Sequence, residues 1–403
     1  MIEVLAPAGN EEKLMCALHF GADAVYLAGK SYGLRAFADN FDRDELKEAT
    51  ELIHKLNKKV YVTLNIFAHN RDFVGLVDYV KFLEQIKVDG VIISDPGILA
   101  LVKKETNLCI HLSTQANTTN KYSAAYWAEQ GVKRIVLARE LSLDEIKEIR
   151  DYLPSEIELE AFVHGAMCIS YSGRCLLSDF TTGRHSNHGE CAQSCRWEYA
   201  ISERTRGGEY FPIGEDGRGT YILNSKDLNM APYIRELVSA GVSSLKIEGR
   251  MKSPYYVAGV VNAYRRAVDE YFKQGENFVL PSYISRELEL LSHRKYCTGF
   301  YFGDKGDQCY DTSKPEQKGV FAAIVTKSVE NGFVVEMRNR FKVGDSLEIL
   351  SPDGNNGKKI VINKMFDESG NEVLDANKVQ QKIFIKSDVI LSPYDILRIN
   401  TQE

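Results

Sequence analysis

A chain of 403 residues exceeds one ordinary core and leaves room for two or three domains. Its 44% apolar and 26% charged residues exclude extended disorder, and its net charge of −6 excludes a generally basic nucleic-acid binder while permitting a local basic surface. The opening MIEVLAPAG lacks the basic start and apolar run of a secretion signal, and no stretch approaches the ~20 apolar residues of a membrane span. A cytosolic location is expected, in which the eight cysteines are ligands, catalysts or small core residues and not a disulfide framework.

Short β-rich apolar runs recur at 2–5, 24–27, 60–64, 90–93, 109–112, 134–137, 157–163 and 244–247, each followed by a turn signal and a helical pattern. The helices expected over 11–20, with Asn10 as cap, and over 44–56 are typical. Eight strand–helix units predict an α/β fold, a (β/α)8 TIM-like barrel, in preference to an open doubly wound sheet. The interval 164–243 after the seventh strand is too long for one helix and carries four cysteines, so it is expected as an insertion over the barrel mouth.

The barrel is assigned to 1–255. A helical connector follows over 256–318, with helices at 257–274 and 282–293. From 319 to 403 the period changes to short alternating runs at 320–326, 333–338, 346–350, 359–363, 382–385 and 395–399, separated by Gly, Asn and Asp, which predicts a small antiparallel β-barrel domain.

Polar residues that end the barrel strands are candidates for the mouth: Asn65, Asp95, Ser113, Gln115, Arg139, Glu140, His164, Glu248 and Arg250. Asp95, Gln115, Glu248 and His164 are the candidates for catalysis. His164, four residues before Cys168, could act as acid, base or donor to a ligand, or could fix the loop through its backbone. The competing reading of the set is that several cap helices or pair with one another, as Arg139 beside Glu140 would.

Cys168, Cys175, Cys191 and Cys195 fall within 28 residues, with Gly165, Gly173 and Gly189 close by. Four thiolates complete either a tetrahedral zinc site or the coordination of an iron–sulfur cluster, and spacing leaves both open, as well as a mixed zinc site using His185 and His188. Cys16, Cys109, Cys297 and Cys309 lie in unrelated segments and are expected as small core residues or incidental thiols.

The stretch from Glu160 to Ser178, EAFVHGAMCISYSGRCLLS, resembles the signature of the collagenase-like peptidase family U32. The segments GECAQSCRWEY at 189–199, NSKDL at 224–228, SLKIEGRMKS at 244–253 and the opening LAPAG are similar to the branch of prephenate-dependent tRNA uridine hydroxylases. The resemblance implies a four-iron four-sulfur (4Fe–4S) cluster, and oxygen-independent hydroxylation of carbon-5 of the wobble uridine in the tRNA anticodon loop, with prephenate required. Some relatives take a ligand from a cysteine just after the Lys-Asp-Leu motif. This chain has Asn229 there, which puts the fourth-ligand role on Cys195.

A dicarboxylate such as prephenate needs fixed cations, for which Arg139, Arg250 and Lys226 are the candidates, with Asn65 as a further substrate contact. For RNA the insertion offers Arg174, Arg184, Arg196, Arg204 and Arg206 among Tyr171, Phe180, Trp197 and Tyr199, although neighbouring carboxylates nearly balance that charge. Two further functions stay in view: a peptidase, for which neither an H-E-x-x-H helix nor a G-x-S-x-G elbow is present, and a metal-stabilised RNA-binding or assembly factor.

Overall fold

The computed structural model describes residues 2–33, 39–167, 170, 172, 175, 177–184, 190–197, 200–202, 210–212, 215–216, 219–220, 226–303 and 315–401. Strands β1 (Glu3–Pro7), β2 (Ala24–Leu27), β3 (Lys59–Leu64), β4 (Gly90–Ile93), β5 (Ile110–Leu112), β6 (Arg134–Val136), β7 (Glu158–Ala166) and β8 (Ser244–Ile247) pair in parallel in chain order. β8 closes the barrel by pairing with both β7 and β1. All eight expected strands are present.

The period of two explains why the strands tolerate burial on both faces. Val4, Val25, Val60, Val62, Val91 and Ile93 join the core shared with the helices, whereas the alternate residues Leu5, Ala24, Tyr26, Tyr61 and Ile92 form a separate cluster inside the barrel.

The helical layer comprises α1 (Glu11–His19), α2 (Arg43–Lys55), α3 (Leu76–Gln85), α4 (Pro96–Glu105), α5 (Lys121–Glu129) and α6 (Leu143–Tyr152), with α7 (Leu177–Thr182) in the insertion and α8 (Ile234–Ser239) before β8. Asn10 caps α1 as expected, accepting the Lys13 N–H at 3.0 Å, and Asp42 with Glu45 makes a capping box on α2. Helix α9 (Pro254–Gln274) packs against α1 and β1, and its buried Val257, Val261, Tyr264 and Val268 belong to the barrel core. This corrects the boundary expected at 255: the first helix of the supposed connector is the last helix of the barrel. Among the described residues no helix is long and apolar enough to cross a membrane.

The interval between β7 and β8 adds a strand, Asp227–Asn229, antiparallel to the second half of β7 and parallel to Tyr296–Cys297. Beyond α10 (Ser282–Leu290) the tail forms an eight-stranded antiparallel sheet around Phe333, Val335, Leu347, Ile349, Ile383 and Ile385. It docks on the barrel, because Ile324, Leu350 and Ile396 join the barrel core and the fully buried Arg398 pairs with Glu287 of α10 and with Glu348 of the tail.

Candidate active site at the barrel mouth

At the N-terminal end the barrel is plugged by charge. Arg134 of β6 reaches Glu158 and Glu160 of the neighbouring β7 at 2.6 and 3.2 Å, and Glu3 of β1 at 2.6 Å; β1 is not a neighbour of β6, so this last contact crosses the interior. Lys246 of β8 reaches the other oxygen of Glu160 at 2.5 Å and lies over the Tyr26 ring. Burial works against the Arg134 charge, but the Glu160 and Glu3 carboxylates more than offset it and raise its pKa.

One layer higher, Phe162 of β7 forms a floor. The Arg139 guanidinium lies over its ring at 4.0 Å, donates to Glu248 Oε2 at 3.3 Å and to the Ala166 carbonyl at 3.4 Å. Arg250, 4% exposed, donates to Thr63 Oγ1 at 3.4 Å, and its own carbonyl accepts from Lys13 Nζ at 3.1 Å. Asn65 Nδ2 donates to Ser113 Oγ at 3.3 Å, and the Gln115 N–H donates to the same oxygen at 3.2 Å. The mouth thus gathers Asn65, Ser113, Gln115, Arg139, Glu248 and Arg250. Thr63, Lys13 and Phe162 join them unforeseen; the alternation Tyr61-x-Thr63 and Glu160-x-Phe162, polar and aromatic on the inner face, was the available signal.

Asp95, Glu140 and His164 depart from expectation. Asp95, a catalytic candidate, caps α4 by accepting the Ile98 N–H at 3.0 Å, a structural task set by its place between a strand and Pro96. Glu140 does not pair with Arg139; its carboxylate accepts the N–H of Ser172 at 2.9 Å. Lys226 is half-buried beside Asp227, which pairs in register with Ala166.

His164 is the third correction. Counting by twos from Glu160 and Phe162 would aim it into the barrel, but β7 carries a bulge: Lys246 is opposite Phe162, and the next residue, Ile247, is opposite His164. His164 therefore faces outward with Ile247, at 1% exposure, among the rings of Tyr256 and Tyr264 of α9 and of Tyr296. Burial pushes its pKa down to about 3 and the ring stays neutral. Gly165 follows at φ +108°, where an added Cβ would stand 2.7 Å from the Glu248 carbonyl oxygen, so only glycine fits the turn of the chain there.

Of the cysteine set, Cys175, Cys191 and Cys195 are half-buried thiols outside any disulfide. The turn after Cys191 has Gln193 at φ 56°, which brings the Gln193 N–H to 3.4 Å from the Cys191 sulfur. The Ala192 N–H donates to Ser178 Oγ of α7 at 3.0 Å and so ties this turn to the helix that follows Cys175. Asn229, the departure from the relatives' cysteine, accepts the Ala231 N–H at 3.1 Å. Cys168, Cys309, His185, His188, Tyr171, Arg174, Tyr199, Arg204 and Arg206 lie outside the described residues, as do the side chains of Phe180 and Arg196. Among the described residues no three His, Cys, Asp or Glu side chains are gathered as a metal site. In kind, thiol sulfur suits a soft metal centre and not a hard cation.

Residues 9–310 match Peptidase family U32, and residues 317–398 match the Peptidase family U32 C-terminal domain. The chain belongs to peptidase family U32. Among U32 relatives it is 41% identical over 401 residues to tRNA hydroxylation protein P1 of Bacillus subtilis (strain 168), covering 98% of this chain and 94% of that protein. It is 36% identical to tRNA hydroxylation protein P of Escherichia coli (strain K12), covering 88% and 87%. A third relative, the 23S rRNA 5-hydroxycytidine C2501 synthase of Escherichia coli (strain K12), is 32% identical over 87% of this chain and 52% of that protein. The U32 match meets the tail domain at the same border the structure draws, between α10 and the first tail strand.

Proposed function

We propose that this U32 protein is an RNA-modifying enzyme that hydroxylates carbon-5 of the wobble uridine of tRNA without molecular oxygen, with a prephenate-like dicarboxylate as co-substrate. The observation that supports this most is similarity over nearly the whole chain to tRNA hydroxylation proteins, including the Bacillus subtilis relative. The mouth residues suit the chemistry. Arg139 and Arg250 are two guanidiniums at the mouth whose hydrogen bonds to Glu248 and Thr63 are long, 3.3 and 3.4 Å, contacts that an incoming carboxylate could replace. Glu248, a carboxylate paired with Arg139, is placed to accept a proton there, and the Phe162 ring lies beneath the Arg139 guanidinium.

Cys168, Cys175, Cys191 and Cys195 would hold the 4Fe–4S cluster, which when bound would supply electron transfer or a Lewis-acidic iron close to the mouth. Zinc is the alternative for the same thiols. Anaerobically purified protein with about four iron and four sulfide per chain distinguishes them. A peptidase would need an activated nucleophile or metal-bound water. The mouth's Ser113 is engaged by Asn65 and the Gln115 N–H, and His164 faces away from it.

Nucleoside mass analysis of tRNA from cells lacking this protein and its relatives tests the reaction, base and substrate together. Depletion of 5-hydroxyuridine and its derivatives is expected. Normal levels, or gelatin cleavage abolished by one mouth substitution, would overturn the proposal.

A further inference from the structure

We infer that Glu140 is a positioning residue that fastens the cysteine-bearing segment to the barrel mouth by gripping Ser172. Glu140 directly follows Arg139 on the loop after β6, yet its carboxylate serves a residue 32 positions away. One oxygen accepts the Ser172 N–H at 2.9 Å and the other accepts the Ser172 hydroxyl at 3.1 Å. The Ser172 oxygen in turn accepts from the Arg139 N–H at 3.5 Å and lies 3.4 Å from Thr114 Oγ1, on the turn after β5, whose hydroxyl donates to the Leu137 carbonyl at 3.0 Å. A serine only 9% exposed is therefore held by the loop after β6 and packed against the turn after β5.

In sequence Ser172 lies between Cys168 and Cys175, so this grip helps to register whatever those thiols hold against the Arg139 guanidinium. A carboxylate is the suitable acceptor, because charge-assisted hydrogen bonds are the strong ones and an N–H and an O–H from the same residue can each take one oxygen. Arg139 is turned the other way, toward Ala166 and Glu248, which leaves Glu140 free for the task. The catalytic consequence rests on reading the mouth as the hydroxylation site; the grip itself does not.

The test compares Glu140→Gln, Ser172→Ala, the double variant and the conservative Ser172→Thr in the full iron-loaded chain. Amide hydrogen exchange around Ser172 should quicken ~tenfold or more in each single variant and no further in the double, since both remove one interaction. Ser172→Thr should stay within about twofold of the parent, because its hydroxyl and N–H are retained. Iron content and exchange in β1–β6 should not change, and kcat for tRNA hydroxylation should fall about tenfold with KM for tRNA nearly constant. Unchanged exchange around Ser172, additive effects in the double variant, or faster exchange throughout the barrel would each overturn the inference. If the parent protein does not hydroxylate tRNA, the proposed function fails while the exchange pattern still decides the role of Glu140.

Discussion

At the N-terminal end of the barrel, Arg134 and Lys246 meet carboxylates at 2.6 and 2.5 Å, and Glu160 between them is fully buried. At the C-terminal end of the same strands, Arg139 meets Glu248 at 3.3 Å and Arg250 meets Thr63 at 3.4 Å, with Arg139 and Glu248 both partly open to solvent. Both ends use guanidinium and carboxylate. The difference is tightness: the lower contacts are short and cluster on the fully buried Glu160, whereas those at the upper end are long. On the proposed function, stability and catalysis are divided between opposite ends of one sheet.

The sharpest way to break that contrast is to remove one partner from each end. Arg134→Ala leaves Glu160 buried without its guanidinium and should cost about 3–5 kcal/mol in urea unfolding. Arg139→Ala should cost less than ~1 kcal/mol of stability, since its ion pair is partly exposed, yet lower kcat/KM for tRNA hydroxylation by roughly 100-fold or more. Equal stability losses at the two ends would erase the distinction.

The cysteine segment sharpens the upper half of the comparison. Cys195→Ser should abolish both iron binding and activity, while Asn229→Ala should retain iron, because its amide already accepts the Ala231 N–H and is a poor iron ligand beside thiolates. Iron analysis of the two purified variants decides it.

His164 predicts a pH effect that belongs to the stability half. Its folded pKa is depressed to about 3, against an ordinary value of 6.5, so the unfolded chain takes up a proton that the folded chain refuses. The resulting stability is complete above pH 6.5 and is lost as pH falls from 6.5 toward 3. Between pH 6.5 and 5 the loss should be about 2 kcal/mol, and His164→Gln should flatten the unfolding free energy over that interval by the same amount. The smallest effect concerns Asp95: Asp95→Ala should cost about 1 kcal/mol as a lost helix cap and leave the rate within about twofold, whereas a catalytic carboxylate would lose far more.

Local period alone determined much of this protein. The eight runs of apolar residues, their helical partners, the caps at Asn10 and the change to alternating strands after 319 are written in neighbours two to four residues apart, and the structure has them where the pattern puts them. The same local chemistry singled out Asn65, Gln115, Arg139, Glu248 and Arg250, because the ends of parallel strands converge once a barrel closes.

Only the tertiary structure decided which of these groups meet. Arg139 chooses Glu248, 109 positions away, over its neighbour Glu140, and Arg398 finds Glu287 across a domain border. The bulge in β7 arises where that strand leaves β8 and takes up the inserted strand Asp227–Asn229, and one extra residue suffices to turn His164 from the mouth to the tyrosines of α9. The period of two is a property of consecutive residues, but its phase beyond a bulge depends on partners that are distant in sequence, and barrel closure brings those partners together.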